Sequence, residues 1–193
     1  MARPRNFDRD YVLDRALRAF WRHGYEATSV QTLVDAMGIS RASLYNAFGS
    51  KHDLFIEVLR HYEAQQMGHI IDRLRDASAP APAAIRGVLE AAGQSGPAQG
   101  RGCLMTNTAT EMCMRDAECA EHVQANFERL TDAFAAAIER GQDAGALPVD
   151  RDPRAAARYL TNALQGLRVM TAAGTDGEAI DDIVNVTMQV VND

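Results

Sequence analysis

The sequence predicts an all-α chain of about nine helices, with an N-terminal three-helix helix-turn-helix head joined to a larger C-terminal helical bundle. Three observations predict it. Apolar residues recur at helical spacing through most of the chain, as at Leu13, Ala16, Leu17 and Phe20. Ser, Thr, Asp and Gly stand where such segments begin and end. Ala is abundant, whereas β-branched and aromatic residues are too sparse for a mainly β chain.

The elements follow in order. Asp8 is positioned to cap a first helix, with acidic Asp10 in its first turn and Gly24 at its end. Thr28 or Ser29 opens a short second helix whose buried face is Val30, Leu33, Val34 and Met37, and Gly38 supplies a left-handed turn. Ser40 caps a third helix with Leu44 and Phe48 facing inward, and Gly49 stops it. Ser50 and Asp53 open a fourth helix through Leu54, Val58 and Leu59 toward about Ala77. After the SAPAP break at 78–82, helices are expected over about 83–93, 103–114, 117–143, 153–173 and 177–191. The boundary between the two domains is placed between residues 50 and 51, giving 1–50 and 51–193.

A composition of 47% hydrophobic and 24% charged residues is that of an ordinary globular chain and does not indicate disorder. The net charge of −6 hides an asymmetry. Residues 1–60 carry nine Lys and Arg against seven Asp and Glu, and the rest carry eleven against nineteen. A DNA-binding head on an acidic body has this pattern. The opening MARPRNFDRD has no apolar secretory region, and no apolar run reaches a membrane span. Three cysteines, an odd number, argue against a disulfide framework, so a cytoplasmic protein with no membrane association is expected.

The stretch SVQTLVDAMGISRASLYNAFGSKHDLF meets what a helix-turn-helix requires. One helix packs by a narrow apolar stripe, a Gly turn follows, and the next helix keeps its N-terminal end polar for the major groove. The residues Phe20, Gly24-Tyr25, Thr28-Ser29, Met37-Gly38-Ile39-Ser40, Leu44-Tyr45-Asn46-Ala47-Phe48 and Gly49-Ser50-Lys51 resemble, at these spacings, the DNA-binding domain of the TetR family of bacterial regulators. The detailed likeness covers residues 7–59, and GCLMTNTATEM (102–112) is similar to a sixth-helix segment of one large subgroup. The resemblance implies a repressor of double-stranded operator DNA that answers a small-molecule effector. It implies neither an enzyme nor a cofactor.

Chemistry makes Arg41 the leading base reader, because a guanidinium pairs with guanine O6 and N7. Ala42 and Ser43 are small enough for close approach. The resemblance implies phosphate contacts at Tyr45, Thr28 and Lys51, with Asn46 on a phosphate or a base. Arg3 and Arg5 suit a minor-groove arm or a solubilising tail.

Two heads at fixed spacing require a homodimer. The last two helices carry broad apolar faces, with Tyr159, Leu160, Ala163, Leu164, Leu167, Ile183, Val184 and Thr187 as interface candidates. In the family resembled, these two helices form a four-helix interface. The middle helices would enclose the effector, with Met105, Thr108, Met112, Phe127, Leu130 and Phe134 as walls and Asn107 and Glu111 as polar anchors. A Met and Phe stripe at this spacing also serves as plain core.

Cys103, at a helix start and two residues after Arg101, suggests a thiol that senses electrophiles or oxidants. A competing class is a helical metal enzyme using Glu118, Cys119 and His122, with Glu111 two turns earlier. No second ligand cluster accompanies them, so no metal is expected.

Overall fold

In the computed structural model the described residues, 7–94 and 102–192, form nine helices and no strand. The head comprises α1 (Arg9–His23), α2 (Val30–Met37) and α3 (Arg41–Phe48). The long α4 (Lys51–Arg75) leads into α5 (Ala81–Gly93), α6 (Leu104–Glu111), α7 (Ala117–Asp143), α8 (Pro153–Ala172) and α9 (Gly177–Asn192). None of these helices is long and apolar enough to cross a membrane.

Side-chain caps set the head's helix starts. Asp8 accepts from the amides of Asp10 and Tyr11, and Ser29, Ser40 and Ser50 accept from those of Thr32, Ser43 and Asp53. Each such cap contributes about 1 kcal/mol. Gly38, at φ 68° and ψ 27°, takes the left-handed conformation that turns the chain between α2 and α3, and its N–H donates to Val34 O. Two boundaries differ from the expected ones. Helix α5 starts at Ala81, because Pro82 fits a first turn that needs no N–H donor. Helix α6 stops at Glu111, and a short turn delivers Asp116 to cap α7 through the Cys119 amide.

Two apolar cores result, and α4 belongs to both. The upper core joins Leu17, Phe20, Leu33 and Leu44 of the head to Leu54, Phe55 and Tyr62 of α4, Met105 and Met112 around α6, and Cys119 and Val123 of α7. The lower core joins Met67 and Leu74 of α4 to α5, the rest of α7, α8 and α9. The head's core therefore runs past residue 50 and onto α6 and α7.

The expected interface with a second copy divides in two, which is a correction. Leu160, Leu164, Leu167 and Val184 are at most 2% exposed and fill the lower core of their own chain, and Thr187 is buried likewise. Both sides of α8 and α9 are apolar, so helical spacing alone did not separate inward from outward. Tyr159 is exposed, and Ala163 and Ile183 are half-buried. On the outer face they join Gly166, Val169, Met170 and Val186.

Leu164→Ala should therefore lower unfolding stability by about 2–5 kcal/mol through a cavity between α7, α8 and α9. Urea unfolding measures this, and a loss under about 1 kcal/mol would place the side chain on the outer face instead.

Candidate nucleic-acid interface and sensor site

Helix α3 is built to present one face. Leu44 and Phe48 are buried in the upper core, where α3 meets α2 and α4, and Arg41, Ala42, Tyr45 and Asn46 stand exposed. Tyr45 keeps 43% of its surface in solvent although Leu44 beside it is fully buried. Ser43 is half-buried, and its amide and hydroxyl both engage Ser40 Oγ, at 3.1 and 2.9 Å. Lys51 opens α4 with its ammonium 4.3 Å over the Tyr25 ring, so the charge is held close to the end of α3.

Thr28 is corrected. It is fully buried, and its hydroxyl donates to Gly24 O at 2.5 Å, so it braces the α1–α2 loop and does not reach a phosphate. Its neighbour Ser29 is the exposed N-cap. Arg3 and Arg5 lie outside the described residues.

The head meets the body through polar contacts that sequence spacing did not reveal. Glu111, the last residue of α6, accepts the backbone N–H groups of Tyr25 at 3.0 Å and Glu26 at 2.9 Å. Gly24 permits this grip: its φ is 77°, and a Cβ there would lie 2.8 Å from Glu111 Oε2. Nearby, His52 Nε2 donates to Asp116 Oδ2 at 2.7 Å. The Asp116 carboxyl is held below its ordinary range first by the Cys119 amide, with His52 adding to this against partial burial.

The proposed ligand set Glu118, Cys119 and His122 is not brought together. Arg60 lies 3.9 Å from Glu118 and 3.4 Å from His122, so a guanidinium occupies the space a cation would need. Glu111 is engaged by the head's amides.

The predicted effector pocket is also divided. Met105 and Met112 are buried in the upper core, and Leu130 and Phe134 in the lower one. Thr108 is buried and donates to Leu104 O. Asn107 is exposed. Phe127 lines an open groove of about 630 Å³ along α7, with Glu121, Gln124, Ala125, Glu128 and Thr131. Together with Cys103, which also lies in the upper core, the expected pocket residues thus do not form one enclosed site, because α6 and the lower half of α7 serve different cores.

Cys103 has a more specific setting. It is 2% exposed at the N-cap of α6. Arg168 Nη1 donates to its sulfur at 3.3 Å and the Tyr62 hydroxyl at 3.6 Å. Burial is the strongest single influence and pushes the thiol up. The Arg168 guanidinium, the Thr106 backbone and hydroxyl and the Tyr62 hydroxyl together outweigh it and leave the thiol below its usual range. Arg101 lies outside the described residues; Arg168 of α8 supplies the cation. Gln165, which accepts from Thr106 and Arg168, keeps its amide nitrogen buried with no partner among the described residues. Cys119 is the opposite case, pushed up to about 12 by burial and then by Asp116.

Removing the Glu111 carboxylate should strand two backbone donors. Glu111→Ala is expected to lower stability by about 1–3 kcal/mol, with Glu111→Gln recovering part of the loss. Denaturant midpoints read this directly, and a change within about 0.5 kcal/mol would show that the grip contributes nothing.

Comparison with known proteins agrees with this architecture. Residues 12–58 match the bacterial regulatory proteins of the tetR family, and residues 81–187 match the tetracyclin repressor-like C-terminal domain. The chain is 32% identical to YezE of Bacillus subtilis, an uncharacterized HTH-type transcriptional regulator, over the whole of both chains. It is 30% identical to the transcriptional repressor ComR of Escherichia coli, covering 97% of this chain and 90% of ComR. Among solved structures, a cysteine-substituted form of the regulator CifR, complexed with 26 bp operator DNA, superposes with a TM-score of 0.85. That match is 31% identical and covers 98% of this chain and all of CifR. With both halves matched and the helix-turn-helix in place, the chain belongs to the TetR family of bacterial regulatory proteins.

Proposed function

We propose that the chain is a cytoplasmic DNA-binding transcriptional repressor that acts as a homodimer and leaves its operator when an effector binds the body. The observation that carries this reading is the exposed polar face of α3, with Arg41, Ala42, Tyr45 and Asn46 presented by a helix-turn-helix and buried apolar residues only on the opposite side. Arg41 reads a base edge, Ser43 and Asn46 bond to bases or phosphates, and Tyr45 and Lys51 fix register on the backbone. The outer face of α8 and α9, with Tyr159, Ala163, Met170, Ile183 and Val186, packs against a second copy and sets the spacing of the two heads. The operator-bound CifR structure and the repressor ComR support the same reading.

An effector acts through its different affinity for two arrangements of the heads. The chain of contacts from α6 to the Tyr25 and Glu26 amides is the route by which a change in the body reaches the head.

The setting of Cys103 favours a second, narrower reading, in which the effector is an electrophile or oxidant that modifies this thiol. A cation, a phenol and a helix N-terminus surround one sulfur that is held below its usual range. A bulky adduct or a charged oxidised sulfur at a 2% exposed position forces α6 or Arg168 to move.

One titration tests both. Binding to the chain's own upstream DNA should weaken by about 5–150-fold in Arg41→Ala, the loss of one bidentate base contact. Binding that Arg41→Ala leaves unchanged would move base reading elsewhere. Treatment with N-ethylmaleimide should abolish operator binding in the wild type and spare it in Cys103→Ser. Equal loss in both proteins would remove the thiol reading and leave the repressor reading intact.

A further inference from the structure

We propose that His52, Asp116 and Cys119 form a binding site for a divalent cation of the zinc class where the head meets the body. One ligand atom from each residue, an imidazole nitrogen, a carboxylate oxygen and a thiol sulfur, lies within 4.8 Å of the other two. These are the donor types zinc takes, at about 2.0–2.3 Å from the ion. A tetrahedral ion at those bond lengths sets its ligands roughly 3.3–3.5 Å apart. The His52–Asp116 contact, now 2.7 Å, opens to that spacing when an ion enters, and no two of the three atoms start more than 4.8 Å apart.

The local architecture already orients these groups. Asp116 Oδ1 accepts the Cys119 amide at 2.9 Å, which aims Oδ2 at His52. The other ring nitrogen of His52, Nδ1, lies 3.9 Å from Glu118 Oε2. A carboxylate behind a ligating imidazole fixes its tautomer and strengthens it as a donor. The Tyr25 ring packs edge-on against His52, with centroids 6.4 Å apart. Cys119 is fully buried in the first turn of α7, and His52 and Asp116 are half-buried, so the site has a dry floor and an open side. Water completes the coordination from that side. When the ion binds, Nε2 becomes the ligating nitrogen with the ring proton on Nδ1 facing Glu118, and the Cys119 thiol proton passes to solvent.

The site joins the second residue of α4 to the cap and first turn of α7. An ion there pins the start of α4, next to Lys51 and the end of α3, to the body. Its effect on operator affinity rests on the repressor reading, but the binding site itself does not.

Cobalt(II) added to the reduced full chain tests the site without DNA. One cobalt per chain should produce a thiolate-to-metal absorption band in the near ultraviolet, which zinc should bleach by displacement. Cys119→Ser should abolish the band, and His52→Gln should weaken affinity at least about tenfold. Cys103→Ser should leave the band unchanged. The proposal is overturned if no saturable band forms, if the band survives Cys119→Ser, or if it disappears in Cys103→Ser. Should Cys119→Ser fail to fold, His52→Gln, at a half-buried position, decides the question on the same readout.

Discussion

One carboxylate of the body grips the head's backbone directly: Glu111, at the end of α6, holds two consecutive backbone amides of the α1–α2 loop. A carboxylate accepting two N–H groups is a strong, directional contact, and both donors belong to backbone that cannot move without moving α1 and α2. Gly24 has to lack a side chain for the carboxylate to approach, and Thr28 braces the same loop from inside. The loop that positions the helix-turn-helix is therefore built around a residue that belongs to the body. Helix α6 is eight residues long, roughly 12 Å, with Cys103 capping one end and Glu111 closing the other.

Around that grip the fold divides its tasks. The upper core makes the head, the first half of α4 and the starts of α6 and α7 one packed unit. Within it the rings of Phe20, Tyr25 and Phe55 pack on one another, Phe20 stacked on Tyr25 and edge-on to Phe55. The lower core carries α8 and α9, whose outer faces remain apolar and available to a second copy. Helix α4 runs through both cores and follows directly on the end of α3.

Much of this was legible in sequence, and the remainder was not for definite physical reasons. The four side-chain caps, the left-handed Gly38 and the inward Leu44 and Phe48 are local, and local chemistry specifies them. The exposure of Arg41, Tyr45 and Asn46 followed from the same period. What failed was long-range. Arg168 meets Cys103 across 65 positions, Glu111 meets Tyr25 across 86, and His52 meets Asp116 across 64, and no spacing rule reaches that far. Thr28 was misread because a hydroxyl at a helix start can turn in or out, and Gly24 O captured it. The division of the α8 and α9 residues was invisible because alanine- and leucine-rich helices are apolar on more than one side.

Amide hydrogen exchange at Tyr25 and Glu26, measured before and after alkylation of Cys103, tests most directly whether α6 carries a change from the body to the head. If it does, those two amides should exchange at least about tenfold faster in the alkylated protein, with the amides of the lower core unchanged. Exchange at Tyr25 and Glu26 that stays at its unmodified rate, while operator binding is lost, would contradict the account and place the coupling outside the Glu111 grip.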